Sequence, residues 1–533
     1  MKIKHYIVLG FLILISTGCL SVERYNAHLE RDLTVEQQLK DIEFVHRKLK
    51  KNHPKLDWYV SQEMIDFRFD SLKATIKQTL KPNEFFLKLQ PVVSKIRHGH
   101  TDVMPLFPRY PKHELKRIKD SSGPLSQLTT FWQNDSLYLV QTKSKDSLVK
   151  PGAVILSIDS IAPAYYLNKF HHTFYGDGFN TSYFQNRLNR TFFTYYYNLE
   201  HPIKDSVLFE LSYQGKKYPY WAKRTFKKGE ENKKIADKKD TIRVQMPKKV
   251  ATVNPLKSYE FSFNKSNKTY ARILSFPTND STFAMLRVST FSYGDYSKDY
   301  QKIFELIKTH KVKNLVLDLR NNGGGRLADA FQLFSYFVPD QEEFLAKQSI
   351  VKPSAFQHAI VSIFPKWSRP IVYPISLLSL LITRKDDSGY YIKPQLSRIR
   401  NNQPDHPYTG NLYVIINGGS FSASSLISSN LKGFNRAFFV GEETGGDANG
   451  SVAGLMPKYE LPHSKLKLHI GTVFLEPKYY QTEVKGHGIF PNKEIKTTLE
   501  DRLKNIDPQL RWILSDVKNN NQAIRQLLLN STP

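Results

Sequence analysis

The sequence predicts an α/β protein of several domains: an N-terminal helical segment, a β-rich middle, and a core with a mostly parallel sheet and crossover helices. Three observations carry this. A chain of 533 residues is too long for one small domain. With 40% hydrophobic and 13% aromatic residues it has the apolar material for large cores. From residue 284 onward, short apolar runs (AMLRVSTF, NLVLDLR, NLYVIIN, RAFFVGEE) alternate with stretches of helical period such as RLADAFQLFSYFV and SASSLISSNLK. NLVLDLR is almost continuously apolar, as a strand covered on both faces must be, and such alternation builds parallel sheets.

In chain order, MKIKHYIVLGFLILISTGC has two lysines, an apolar run, small residues and then Cys19. It reads as a signal peptide over residues 1–18. Ser16-Thr17-Gly18-Cys19 resembles a bacterial lipoprotein processing box, with serine where leucine is usual. The expectation is an exported chain, lipid-anchored to the cell envelope through Cys19; an ordinary secretory signal and an uncleaved anchor are the alternatives. Cys19 is the single cysteine, which excludes intrachain disulfides and a cysteine-based zinc site. Residues 19–32 read as a tether. Residues 33–104 read as helical: Thr34 with Gln37 forms a capping-box pattern, and Leu39, Ile42, Val45 and Leu49 recur at helical steps until Pro54. Asn83 is expected to cap a second helix, with Phe86, Leu89, Val93 and Ile96 on one side, ending at RHGHT (Arg97 to Thr101).

Residues 105–225 carry short strands. SLYLVQT and AVILSID bracket KDSLVKPG, and FELSYQGKKYPYW reads as a hairpin. This order resembles a PDZ-like domain, a type that binds chain termini by adding a strand to a sheet edge. The aromatic stretch FHHTFYGDGFNTSYFQNRLNRTFFTYYYN reads as an elaboration of it. Residues 226–265 read as a lysine-rich linker, 266–500 as the core with an insert at 338–410, and 501–533 as a C-terminal helix and tail. Within the insert, PISLLSLLI (Pro374 to Ile382) is too short to span a bilayer. It is a lid, a membrane-touching segment or a buried helix. The formal charge of +28 suits nucleic acid, an anionic membrane surface or a solvated basic face. Its lysines are spread along the chain, and the local run KKGEENKKIADKK is mixed in sign, so no nucleic-acid partner is expected.

Two junctions carry chemistry. In open α/β sheets, functional groups gather where carboxyl ends of strands meet helix N-termini. DLRNNGGG, Asp318 to Gly325, puts three glycines before a helix, where backbone N–H groups can face an oxyanion. No lysine and serine or threonine follow as in a P-loop, and a plain tight turn is the competing reading. NGGSFSAS, Asn417 to Ser424, places Ser422 between strand and helix. Its hydroxyl would stand at the helix N-terminus, beside the N–H of Ala423 and an N–H from Gly323 or Gly324. A helix N-cap serine is the alternative. The stretch is not the hydrolase elbow G-x-S-x-G. A serine nucleophile needs a base. GEETGGDANG offers Asp447 and no lysine, whereas HGHT offers His98 and His100. Those two also have the spacing of metal ligands on a strand, with no third ligand nearby in sequence.

As a set, LVLDLRNNGGG, NGGSFSASS, RAFFVGEETGG, HGHT and the late GHGIFPN resemble the C-terminal processing (tail-specific, tricorn-like) serine peptidases, over roughly residues 35 to 500. The resemblance implies hydrolysis of peptide bonds through an acyl-enzyme, with Ser422 as nucleophile. A lysine-using branch would have its lysine at 447, so Asp447 points to the histidine-using branch with His100 as base. That branch implies an acid orienting the histidine: Glu483, with Glu442 or Glu443 in reserve, although Lys485 stands where the acid is expected. The oxyanion role falls on Gly324 and Ala423. Ser425 replaces a usual glutamate. The expectation is therefore a serine endopeptidase acting on envelope or extracellular proteins, with no metal or cofactor. A catalytically inactive peptide-binding lipoprotein on the same fold is the alternative. A surface protein recruiting anionic polymers is a third reading.

Overall fold

The apolar alternation of the C-terminal half builds a seven-stranded sheet in the spatial order 493–494, 438–441, 411–416, 314–318, 283–288, 269–276, 257–264. The computed structural model describes residues 21–144, 146–147, 149–226, 257–339, 342–393, 407–480 and 482–529. Strands from 283–288 to 493–494 run parallel, and the two at the other edge are antiparallel. The core thus begins at Lys257, inside the stretch expected to be linker. KSYEFSFN there pairs along its length with Thr269–Phe276. The rest of that expected linker lies outside the described residues, as do the signal segment and Cys19.

Strand Asn314–Asp318 is buried throughout, and its side chains divide between two layers. Leu315 and Leu317 pack with Tyr300, Ile303, Leu333, Phe334, Leu426 and Ile427 of the crossover helices. Val316 faces the opposite way, with Tyr413, Ile415 and Val440, onto Leu510, Ile513 and Ile524. Helices Pro508–Lys518 and Gln522–Leu529, in the stretch expected as a C-terminal helix and tail, are therefore the second layer of the core. Arg320 fastens them by donating to Asp318, Asp507 and Gln509.

At the N-terminus the Thr34–Gln37 capping box forms and opens helix Val35–Asn52. The second expected helix spans Pro82–Ser94, but Asn83 does not cap it. Lys81 stands at the N-cap and Pro82 at the first helical position, where its fixed φ and missing N–H suit it. Asn83 instead exchanges two hydrogen bonds with the backbone of Leu106. A further helix, Gln62–Thr75, fills the gap between them. This helical region shares a core with Leu461, Leu466, Leu468 and Ile470 from the far end of the chain. Strand Asp102–Met104 pairs with Lys467–His469, and that pairing carries HGHT onto the C-terminal half.

The middle region is a five-stranded antiparallel sheet in chain order, from Leu128–Gln133 to Lys216–Lys223, including the expected hairpin. The aromatic stretch supplies its second layer, with Phe170, Phe192, Phe193, Tyr196 and Tyr197 buried against it. In the insert, Ile375, Leu378 and Leu381 are exposed, which overturns the buried-helix reading of Pro374–Ile382.

Candidate active site

The turn between strand Asn411–Ile416 and helix Ala423–Gly433 is tied to the glycine motif at several points. Asn417 Oδ1 accepts from Asn321 N (2.9 Å) and Gly419 N (3.0 Å). Ser420 Oγ donates to Leu319 O at 2.8 Å, and Phe421 N to Asn322 O at 3.0 Å. Ser425, at the position of the missing glutamate, donates to Ser420 O at 3.0 Å. Ser424 is fully buried. Ser422 alone in this series is partly open to solvent with no hydrogen bond to its hydroxyl, and although it sits at the N-cap its side chain caps nothing. Its backbone is at φ 59°, ψ −124°. That is a costly conformation for a non-glycine residue, of the kind that clusters at functional sites.

Gly324 lies directly beneath this serine. A Cβ there would stand 2.8 Å from Ser422 Cβ and 3.0 Å from Ala423 N, at a φ of +94°. Glycine is required on both counts. Gly324→Ala is expected to displace the serine turn and lower activity at least about 100-fold, the scale of losing one oxyanion donor. Steady-state rates on a protein substrate measure it. The donor role expected of Gly324 itself meets an obstacle, because its N–H already donates to Asn322 Oδ1 at 2.9 Å. Among the described residues, the N–H groups of Gly323 and Ala423 have no hydrogen-bond partner, and the space beside Gly323 is open.

His100 approaches from the N-terminal region. Its ring lies 4.9 Å, centroid to centroid, from that of Phe421, the residue before Ser422. Gly99 has no room for a side chain, since a Cβ would meet the Phe421 ring at 2.6 Å. Nε2 of His100 is buried with no hydrogen-bond partner among the described residues, and no hydrogen bond joins the imidazole to Ser422. Burial pushes His100 down to about 4; His469 adds to this and the Asp102 carboxylate opposes it. His469 Nδ1 is itself 3.3 Å from Asp102 Oδ1.

His98 has a different role. It is buried, its Nε2 donates to Lys55 O at 2.8 Å, and its ring packs on His53 and Tyr59. Burial lowers it to about 3. Among the described residues, no group of three or more His, Cys, Asp or Glu side chains could hold a metal.

The acids fall elsewhere than expected. Glu483 is exposed and makes no hydrogen bond to His100. Glu443 accepts from Gly488 N and lies 3.2 Å from His487 Nδ1, and Glu442 has no bond to His100 either. The carboxylate whose charge raises the His100 pKa is Asp102, which opens the strand after the turn that holds His100. Asp447, at the place of a lysine base, is buried and accepts from Tyr59 Oη (2.7 Å), Asn449 N (2.7 Å) and Gly486 N (2.9 Å). Burial raises its pKa.

Sequence reading missed Asp177, from the aromatic stretch of the middle region. Its Oδ1 accepts from Gly99 N at 2.8 Å and its Oδ2 from Ser451 Oγ at 3.2 Å. The flanking backbone completes a brace: Gly178 N donates to Arg97 O (2.8 Å), Asp177 N to Gly445 O (3.2 Å) and Phe179 N to Gly486 O (2.6 Å). One loop thus holds the histidine motif against the core loops. The signal for it was the YGDGFN turn, whose Gly178 sits against Gly486 with no space for a Cβ. Burial, helped by the Asp447 carboxylate, raises Asp177 to about 7.

Residues 282–495 match Peptidase family S41. The chain is 27% identical over 226 residues to a carboxy-terminal-processing protease of Bartonella bacilliformis, covering 42% of this chain and 41% of that relative. It is 24% identical over 166 residues to a tail-specific protease of Haemophilus influenzae, covering 31% of this chain and 17% of that relative. The chain thus spans less than half the length of these curated relatives. Among solved structures, mature CPAF superposes with a TM-score of 0.56 at 15% identity, over 94% of this chain and 99% of that one, a likeness of fold.

Proposed function

From the premise that this chain carries a peptidase family S41 domain over residues 282–495, we propose that it is a serine endopeptidase working through an acyl-enzyme. The observation that carries the reading is the state of Ser422: an unbonded hydroxyl partly open to solvent, on a strained turn at a helix N-terminus, packed on Gly324 of the glycine motif. Ser422 Oγ attacks the peptide carbonyl carbon, and its proton passes to His100. The oxyanion is held by the N–H groups of Ala423 and Gly323, the latter taking the place first expected of Gly324. His100 returns the proton to the leaving amine, and water then releases the acyl group by the same relay. Asp102, rather than Glu483, orients and steadies the imidazolium. Ser422 and His100 share no hydrogen bond here; catalytic hydrogen bonds of this kind often tighten only in the Michaelis complex.

Substrate enters by the middle region. Strand Leu128–Gln133 is a sheet edge, and a groove of about 760 Å³ separates it from the helical segment containing Arg190, Thr194 and Asn198. Arg190 also donates to Asn321 O of the glycine motif, so the groove adjoins the site. An extended peptide added to this edge, in the PDZ-like manner, would lead toward Ser422. Substrates are envelope or extracellular proteins if the chain is exported and lipid-anchored at Cys19.

A fluorophosphonate probe tests the reading. Covalent labelling is expected at Ser422, mapped by mass spectrometry, and absent in Ser422→Ala. A wild-type chain that stays unlabelled would favour the second reading, a peptide-binding protein without turnover, which the missing Ser422–His100 bond also fits.

A further inference from the structure

The insert between strands 314–318 and 411–416 carries a surface that the peptidase reading does not use. Helix Pro353–Ser362 packs inward through Ala355, Phe356 and Ala359. The chain then continues through Lys366–Ser368, Arg369–Ser376 and Leu377–Ile382 as short helical segments. Along them Trp367, Ile371, Ile375, Leu378 and Leu381 recur at three- or four-residue steps and form one stripe. That stripe faces outward: Trp367 is 79% exposed, Leu381 69% and Ile371 65%. The inward side mixes half-buried Val372 and Ile382 with serines. Ser376 and Ser379 are buried, and Ser376 accepts from Gln357 Nε2 at 3.2 Å. An ordinary surface helix hides its apolar face, whereas here the larger apolar stripe is left outward.

The charges around the stripe indicate what covers it. Residues 344–385 contain no aspartate or glutamate. Lys366 and Arg369 lie at one end of the stripe and Arg384 and Lys385 at the other, followed by Asp386, which is paired with Lys347, and Asp387; among the described residues the four cations have no carboxylate partner, so the rim is net basic. A second copy docked about a two-fold axis would set one net-basic rim against another, with Asp387 the one acid there not already paired to a lysine. An anionic bilayer offers hydrocarbon for the stripe and phosphates for both ends, the arrangement of helices that lie in a membrane interface, with tryptophan at headgroup level. Among the described residues no helix is long and apolar enough to cross a membrane, so the contact is interfacial.

We infer that this segment seats the protein on an anionic lipid surface, with Trp367, Ile371, Ile375, Leu378 and Leu381 entering the headgroup–acyl boundary. The test uses the full chain with Cys19→Ser, so that no lipid attaches there, and vesicles of phosphatidylcholine with or without phosphatidylglycerol. The comparison is the same chain with Trp367→Ser, Leu378→Ser and Leu381→Ser added; the leader common to both contributes equally. Co-flotation with phosphatidylglycerol vesicles is expected to weaken at least about tenfold in the triple variant, and wild-type binding to weaken with added salt. Unchanged far-UV dichroism and unchanged phosphonate labelling show that the variant folds. Equal flotation of the two chains would overturn the inference. So would a concentration-dependent dimer lost in the variant without any change in vesicle binding, since the stripe would then dock a second copy.

Discussion

Ser422→Ala is expected to lower turnover of an unfolded protein substrate by about 10⁴- to 10⁶-fold, with substrate binding largely retained. His100→Ala is expected to cost a similar factor, and the double variant little more, because nucleophile and base act as one unit. The pH profile makes the histidine claim specific. In the free enzyme, burial holds His100 near 4, and kcat/KM reports the free enzyme's essential base. Its acid limb should therefore lie near pH 4, well below an ordinary histidine at about 6.5. Rates are normalised to active sites titrated with the phosphonate, which corrects for protein lost to acid. An acid limb at the ordinary histidine position, or full turnover in His100→Ala, would remove His100 from the proton relay.

Asp177→Asn is expected to make the protein more stable than wild type above neutral pH, and progressively less so as pH falls. The folded carboxyl is raised to about 7 by burial, above the unfolded value near 3.9. Below the unfolded value the folded carboxyl adds no pH-dependent cost. As pH rises toward 7 the unfolded state sheds the proton and the folded state keeps it, so wild-type stability declines. At about 1.4 kcal/mol per pKa unit, the cost reaches a few kcal/mol by pH 7. Asparagine keeps the acceptor for Gly99 N, and its amide can donate to Ser451 Oγ, so the brace survives without the charge. Urea unfolding of both chains from pH 4 to 8 should give curves that diverge upward; parallel curves would show that Asp177 is not raised. Asp177→Ala removes the anchor of Gly99 and is expected to lower kcat more than it changes KM, with Asn restoring it. A purely structural role would leave that split unmoved.

The neighbouring histidines act in the opposite direction. His53, His98 and His100 are all lowered by burial. Their contribution is present above about 6.5 and is lost as pH falls toward their folded values, because only the unfolded state takes up protons there. Acid weakens the HGHT corner through these imidazoles while Asp177 resists it.

Local pattern determined a good deal of this protein. The Thr34–Gln37 cap, the hairpin at 206–223, the fully buried strand Asn314–Asp318 and the strand-to-helix turn at Ser422 each depend on a few adjacent residues. Turn chemistry, capping and hydrophobic period operate at that range, so they could be read directly. The motif Asn417 to Ser424 even offered several hydroxyls, but packing was needed to show that Ser420, Ser424 and Ser425 are committed to the interior and Ser422 is not. Which glycine N–H remains free and which loop braces HGHT depend on groups that meet across long stretches of chain. Asp102 reaches its place because its strand pairs with Lys467–His469, and Asp177 because its loop closes on Gly445 and Gly486. The outward stripe of the insert and the helices covering the second face of the sheet have the same origin. Periodicity tells that a face is apolar, and only chain closure decides whether another element arrives to bury it.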